Sequence, residues 1–73
     1  MRGMLEAILN AIEDARKVEG KYIHIDNLKY TIRYMDGICY LLIGNDEVLG
    51  SVDGSRYSST IAKSFSVIIE DDT

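Results

Sequence analysis

Cys39 and His24 are the two side chains that could begin a nucleophile–base reaction, with a thiolate attacking and an imidazole taking the proton. They are the only cysteine and the only histidine in the chain. Such a pair works only within hydrogen-bond reach. The alternation of apolar residues puts Cys39 on the inner face of a sheet and His24 on the other face. The expectation is a packed thiol, a surface imidazole and no catalytic residue. One cysteine and one histidine cannot complete a zinc cage. Carboxylates are more plentiful, with Asp26, Asp46 and Glu47 expected at one end of the sheet and Asp36 and Asp53 at the other. They lack calcium-loop spacing, and turn chemistry already accounts for aspartates there. No metal and no cofactor is expected.

A third candidate is the glycine-bearing stretch from Gly50 to Thr60. If a helix starts near Ser58, then Gly54, Ser55, Arg56, Ser58 and Ser59 surround its N-terminus, where backbone N–H groups favour anions. The Gly-Lys-Ser/Thr ending of a phosphate-binding loop is missing. A turn followed by an ordinary N-cap explains the same residues. Small-ligand or nucleotide binding here is the alternative reading of function.

The elements that position these residues follow from periodicity. Met4, Leu5, Ile8, Leu9, Ala11, Ile12, Ala15 and Val18 recur at helical spacing. They predict a helix over 3–19 that stops at Gly20, with Arg16 and Lys17 suiting its C-terminal pole. From Lys21 the period becomes two, and residues 22–25, 28–35, 38–44 and 47–52 read as strands. Asp36-Gly37 is the strongest hairpin signal, since both types tolerate positive φ. Asn45-Asp46 reads as a second two-residue turn, and Asp26-Asn27 as a turn or a bulge.

These turns fix a register that can be checked for consistency. Met35 then faces Ile38, Tyr34 faces Cys39, Ile32 faces Leu41 and Tyr30 faces Ile43. One face collects Ile23, Ile25, Leu28, Tyr30, Ile32, Tyr34, Cys39, Leu41, Ile43, Val48, Gly50 and Val52. A one-residue slip would scramble it. Residues 55–72 fit a helix that buries Tyr57, Ile61, Ala62, Phe65, Ile68 and Ile69, capped by Ser58 or Ser59. Their strand propensity leaves a fifth strand as the alternative, and Glu70-Asp71-Asp72 oppose a helix C-terminus. The chain thus reads as one α+β domain over 1–73: a helix, an antiparallel meander of three or four strands, then a helix.

The second sheet face is the feature with functional content. Met35, Ile38, Tyr40, Leu42 and Leu49 make an apolar strip, with Lys29, Arg33, His24, Thr31, Ser51 and Glu47 around it. Arg33 lies across from Tyr40 as a stacking pair. If both helices pack on the first face, this strip is left in water, and such strips mark interfaces. The expected occupant is a partner protein or a second copy, giving a homodimer.

Composition limits the partners. The 73 residues suit one core. There are 12 acidic and 8 basic side chains, net -4, so direct nucleic-acid binding is not expected. Residues 1–35 hold 6 basic and 5 acidic groups, whereas 36–73 hold 2 and 7. Asp36, Asp46, Glu47 and Asp53 form the expected acidic surface, suited to a basic groove on another protein. A lone cysteine implies no internal disulfide and a reducing, cytoplasmic setting. Glu6, Glu13 and Asp14 interrupt the first apolar segment, so neither a signal peptide nor a membrane span is expected.

In size, acidity and order of elements the chain resembles the small phage-encoded anti-CRISPR and anti-defence inhibitors. The features that carry the likeness are the N-terminal amphipathic helix ending at Gly20, the Asp36-Gly37 hairpin and the acidic second half. The likeness spans the whole chain, rests on no motif and transfers no site residue. It implies a mode of action: a non-enzymatic protein, acting in the host cytoplasm, that binds a host protein and blocks its nucleic-acid or partner surface.

Overall fold

The first helix, α1, spans Met4–Lys17 in a computed structural model that describes residues 3–72. Met1, Arg2 and Thr73 lie outside the described residues. Ala7, Ile8, Ala11, Ile12 and Ala15 are buried, the i, i+4, i+8 pattern of one helix face. The buried stripe is narrower than the spacing predicted, because Leu5 and Val18 are exposed. The helix ends before Gly20, which takes φ 84°. There the Gly20 N–H donates to the Tyr34 carbonyl at 2.7 Å, stitching the chain to the sheet.

Four strands follow: β1 (Ile23–His24), β2 (Tyr30–Met35), β3 (Ile38–Ile43) and β4 (Glu47–Asp53), paired in sequence order. The meander is antiparallel throughout. At the β2–β3 hairpin Asp36 has φ 52° and Gly37 φ 80°, the geometry of a type I′ turn. Its register is the expected one, from Tyr30↔Ile43 to Met35↔Ile38. The β1–β2 connection is a turn in which Asn27 takes φ 61° and the Ile25 N–H donates to the Tyr30 carbonyl at 2.9 Å.

The β3–β4 connection differs from expectation. Ile43 pairs with Glu47, so the loop is Gly44-Asn45-Asp46 rather than Asn45-Asp46 alone. A bulge then restores the register: Leu42 pairs with Val48, but Leu41 pairs with Gly50. The extra residue is Leu49. It turns inward and packs against the core, while Val48 faces out at 54% exposure. These two residues exchange the faces assigned to them by a two-residue turn. Glu47 shifts with them and pairs with the inner-face residue Ile43.

The last element is a helix, α2 (Ser58–Asp72), and not a fifth strand. Ile61, Ala62, Phe65 and Ile69 are buried and Val67 faces water. Tyr57, expected in the buried stripe, is 83% exposed. Its carbonyl accepts from the N–H groups of Thr60 and Ile61 at 3.0 Å, so Tyr57 is the N-cap and stands outside the buried stripe. Ser58 does not cap its own helix: its hydroxyl accepts from Arg16 Nε at 2.8 Å and donates to Glu13 of α1.

Residues from both helices join Ile25, Tyr30, Ile32, Cys39 and Leu41 in one core cluster. Both helices therefore cover the same sheet face. Gly50 permits the close approach, since a Cβ there would meet Ile68 Cδ1 at 2.7 Å.

Candidate partner-binding face

The uncovered face is read off the strand register. Its rows are His24–Thr31–Leu42–Val48, Arg33–Tyr40–Ser51 and Met35–Ile38–Asp53. Tyr22 extends the middle row, because the Arg33 guanidinium lies over its ring, 4.5 Å from the centroid. Arg33 Nε also donates to the Gly20 carbonyl at 2.9 Å. So Arg33 faces Tyr40 in register but stacks on Tyr22 instead. The α1–β1 connection reaches it first and fixes its geometry through a backbone acceptor.

Exposure on this face is uneven. Ile38 is 37% exposed and Tyr22 39%, while Met35, Arg33 and Tyr40 are half-buried. Leu42 is only 4% exposed and Thr31 2%, although neither belongs to the core cluster. Leu42 is therefore removed from the surface a partner could touch, and Leu49 is removed by the bulge. What remains available is a patch of Tyr22, Arg33, Met35, Ile38 and Tyr40, with Val48 beyond Leu42. Tyr22 and Val48 were not among the residues singled out from sequence. The register would have given Tyr22, but nothing in the sequence marks the bulge that exposes Val48.

The chemistry-bearing residues do not come together. Cys39 is fully buried on the inner face and His24 is exposed on the outer one. Burial pushes the Cys39 thiol up to about 11, against smaller lowering effects of Tyr34 and Arg16. A thiol so placed is protonated at neutral pH and is a poor nucleophile. Among the described residues, no three His, Cys, Asp or Glu side chains gather closely enough to hold a metal ion.

The Gly54–Ser59 stretch is tied up internally. Gly54 is buried, and its N–H donates to the Gly37 carbonyl at 2.9 Å. The Ser55 N–H and hydroxyl both donate to Asp53 Oδ1, at 2.9 and 2.7 Å. These bonds hold the Asp53 carboxyl below its ordinary value. The Arg56 carbonyl accepts from Arg16, and Ser58 is engaged by Glu13 and Arg16. An anion here would meet the Asp53 and Glu13 carboxylates. A cavity of about 190 Å³ lies between α1 and the β1–β2 turn, lined by Gly3, Met4, Ala7, Asp26, Asn27 and Leu28. That is below the 300–1,000 Å³ of typical ligand sites.

Charge sorts by end rather than by half of the sequence. The start of α1, both connections at the Asp26 end of the sheet and the end of α2 share one pole. It carries Glu6, Asp26, Asp46, Glu47, Glu70, Asp71 and Asp72. Lys29 is the lysine at this pole. It pairs with Asp72 at 3.4 Å rather than standing on the rim of the outer face. Asp36 and Asp53 lie at the opposite pole with Lys17, Lys21 and Arg56. Among the described residues, no helix is long and apolar enough to cross a membrane. No family model matches this chain, and no curated protein or solved structure matches it either.

Proposed function

We propose that this chain is a non-enzymatic protein-binding module that docks a partner protein through its outer sheet face. One observation carries the reading: both helices lie on one side of a four-stranded sheet, and the other side presents Tyr22, Arg33, Met35, Ile38 and Tyr40 to water. Tyrosine, arginine and methionine are enriched at protein interfaces, and tyrosine and arginine dominate hot spots. The stacked Tyr22–Arg33 pair is fixed before any partner arrives, which lowers the ordering cost of binding.

The partner we infer is a separate protein with a basic surface. The acidic pole steers such a protein toward the face and repels acidic competitors. A phage-type inhibitor that blocks a host nucleic-acid-binding protein fits this chemistry. A second copy on the same face is the alternative occupant.

The test is capture from a lysate of the cell type in which the protein acts, comparing the parent with Tyr40→Glu and Tyr22→Ser. The expected result is a stoichiometric complex that weakens as salt rises and is lost in both variants. If the parent captures nothing that the variants do not also capture, the reading fails. A parent that sediments as a dimer while Tyr40→Glu sediments as a monomer would replace the partner with a second copy.

A further inference from the structure

α2 ends on Glu70, Asp71 and Asp72, with no basic residue in its last turn. A helix C-terminus carries partial negative charge, so each of these carboxylates opposes the turn it stands on. The turn is helical through Asp72 all the same. Burial does not explain this, because Ile69 is the last buried side chain.

A contact distant in sequence does explain it. The Tyr30 hydroxyl donates to Asp72 Oδ2 at 2.7 Å, and Lys29 Nζ lies 3.4 Å from the same oxygen. Lys29 also sits over the Tyr30 ring, 5.7 Å from its centroid. The ring is buried and its hydroxyl reaches the end of α2 through a part-buried hydrogen bond. The Lys29 carbonyl accepts from the Gly44 N–H at 3.1 Å. Two adjacent residues at the head of β2 thus tie down both the end of α2 and the β3–β4 loop.

We propose that residues 70–72 form a charge-operated strap, closed by Lys29, Tyr30 and Asp72 and released without unfolding the rest of the domain. Local openings of this kind belong to the least stable end of a native structure. The trigger is neutralisation of Lys29, which removes its ion pair with Asp72 and leaves that carboxylate opposing the helix dipole. Release frees the terminal carboxylates from their fixed place on the acidic pole and uncovers the Tyr30 hydroxyl. The strap does not depend on what the outer face binds.

Residue-resolved amide exchange on the full chain tests this. Tyr30→Phe should speed exchange at residues 70–72 about tenfold or more, as expected for loss of a hydrogen bond to a charged group. Lys29→Gln should speed it about two- to fivefold, the scale of an exposed ion pair, and Lys29→Arg should leave it near the parent value. Amides of Ile12 and Leu41, anchored in the core, should stay as protected as in the parent. The proposal is overturned if neither Tyr30→Phe nor Lys29→Gln moves the last turn. It is equally overturned if all amides speed up together, since stability would then be lost globally. Lys29→Gln guards against damage to the Tyr30 site, because it leaves that residue intact.

Discussion

Two glycines that read alike in the sequence have different tolerances. A Cβ on Gly54 would meet the Gly37 carbonyl oxygen at 2.7 Å and Tyr34 Cε2 at 2.8 Å. Neither a hairpin backbone nor a packed ring gives way easily, so Gly54→Ala should cost about 1–3 kcal/mol by urea denaturation. On Gly50 the Cβ would meet only the Ile68 δ-methyl, at 2.7 Å. That group can rotate, and Gly50→Ala should cost about 1 kcal/mol, the price of one displaced rotamer. Cys39 supplies a pH test. Burial raises the folded thiol to about 11, above the roughly 8.5 of an unfolded one. The folded state therefore holds the proton more tightly. Its contribution to stability is complete below about pH 8.5 and is lost as pH rises toward 11. Urea midpoints should fall across that window and fall less in Cys39→Ala. Leu42 marks where the sequence misled. Alternation placed it on the open strip, yet it is 4% exposed. Leu42→Asp should therefore unfold the domain rather than merely loosen a contact.

Among the elements, the parts set by local chemistry were legible. Helical spacing found α1, Asp36-Gly37 found the hairpin, and the alternation from Tyr30 to Ile43 fixed every β2–β3 pair. The parts set by distant contacts were not. The inward turn of Leu49 depends on a three-residue loop that opens on Gly44, at φ 56°. Asn45-Asp46 alone gave no sign of it. A fifth strand stayed open as the alternative to a helix for residues 55–72 for a similar reason. The tie that offsets the acidic end of α2 comes from Tyr30, 42 positions away. The other end of α2 is held by Arg16, which binds Ser58 and the Arg56 carbonyl and lies 5.0 Å from the Tyr34 ring centroid. Arg16→Ala removes all three contacts at once. It should lower stability by about 1–2 kcal/mol, on the scale of one charge-assisted hydrogen bond plus a cation–π contact. Ser58→Ala should cost less, because Arg16 keeps its carbonyl acceptor.

At the scale of the whole molecule, the proposed function rests on where the helices are not. Packing both on one side completes a core that includes Cys39 and the inner halves of four strands. It leaves an aromatic face that carries Arg33 beside an acidic pole. The contrast between the two halves of the chain, visible in the sequence, becomes a contrast between two ends only once the fold brings Glu6 and Asp26 to the end of α2. The central claim is that one sheet face is core and the other is docking surface. Adjacent residues of β3 test it directly, since Leu41 is fully buried on the inner face and Tyr40 half-buried on the outer one. The deciding measurement is thermal unfolding of Tyr40→Glu and Leu41→Glu, paired with partner capture. The account predicts that Leu41→Glu is unfolded, while Tyr40→Glu melts as cooperatively as the parent, within about 5 °C of it, and captures nothing. A Tyr40→Glu that unfolds like Leu41→Glu, or that stays folded and binds as the parent does, would contradict it.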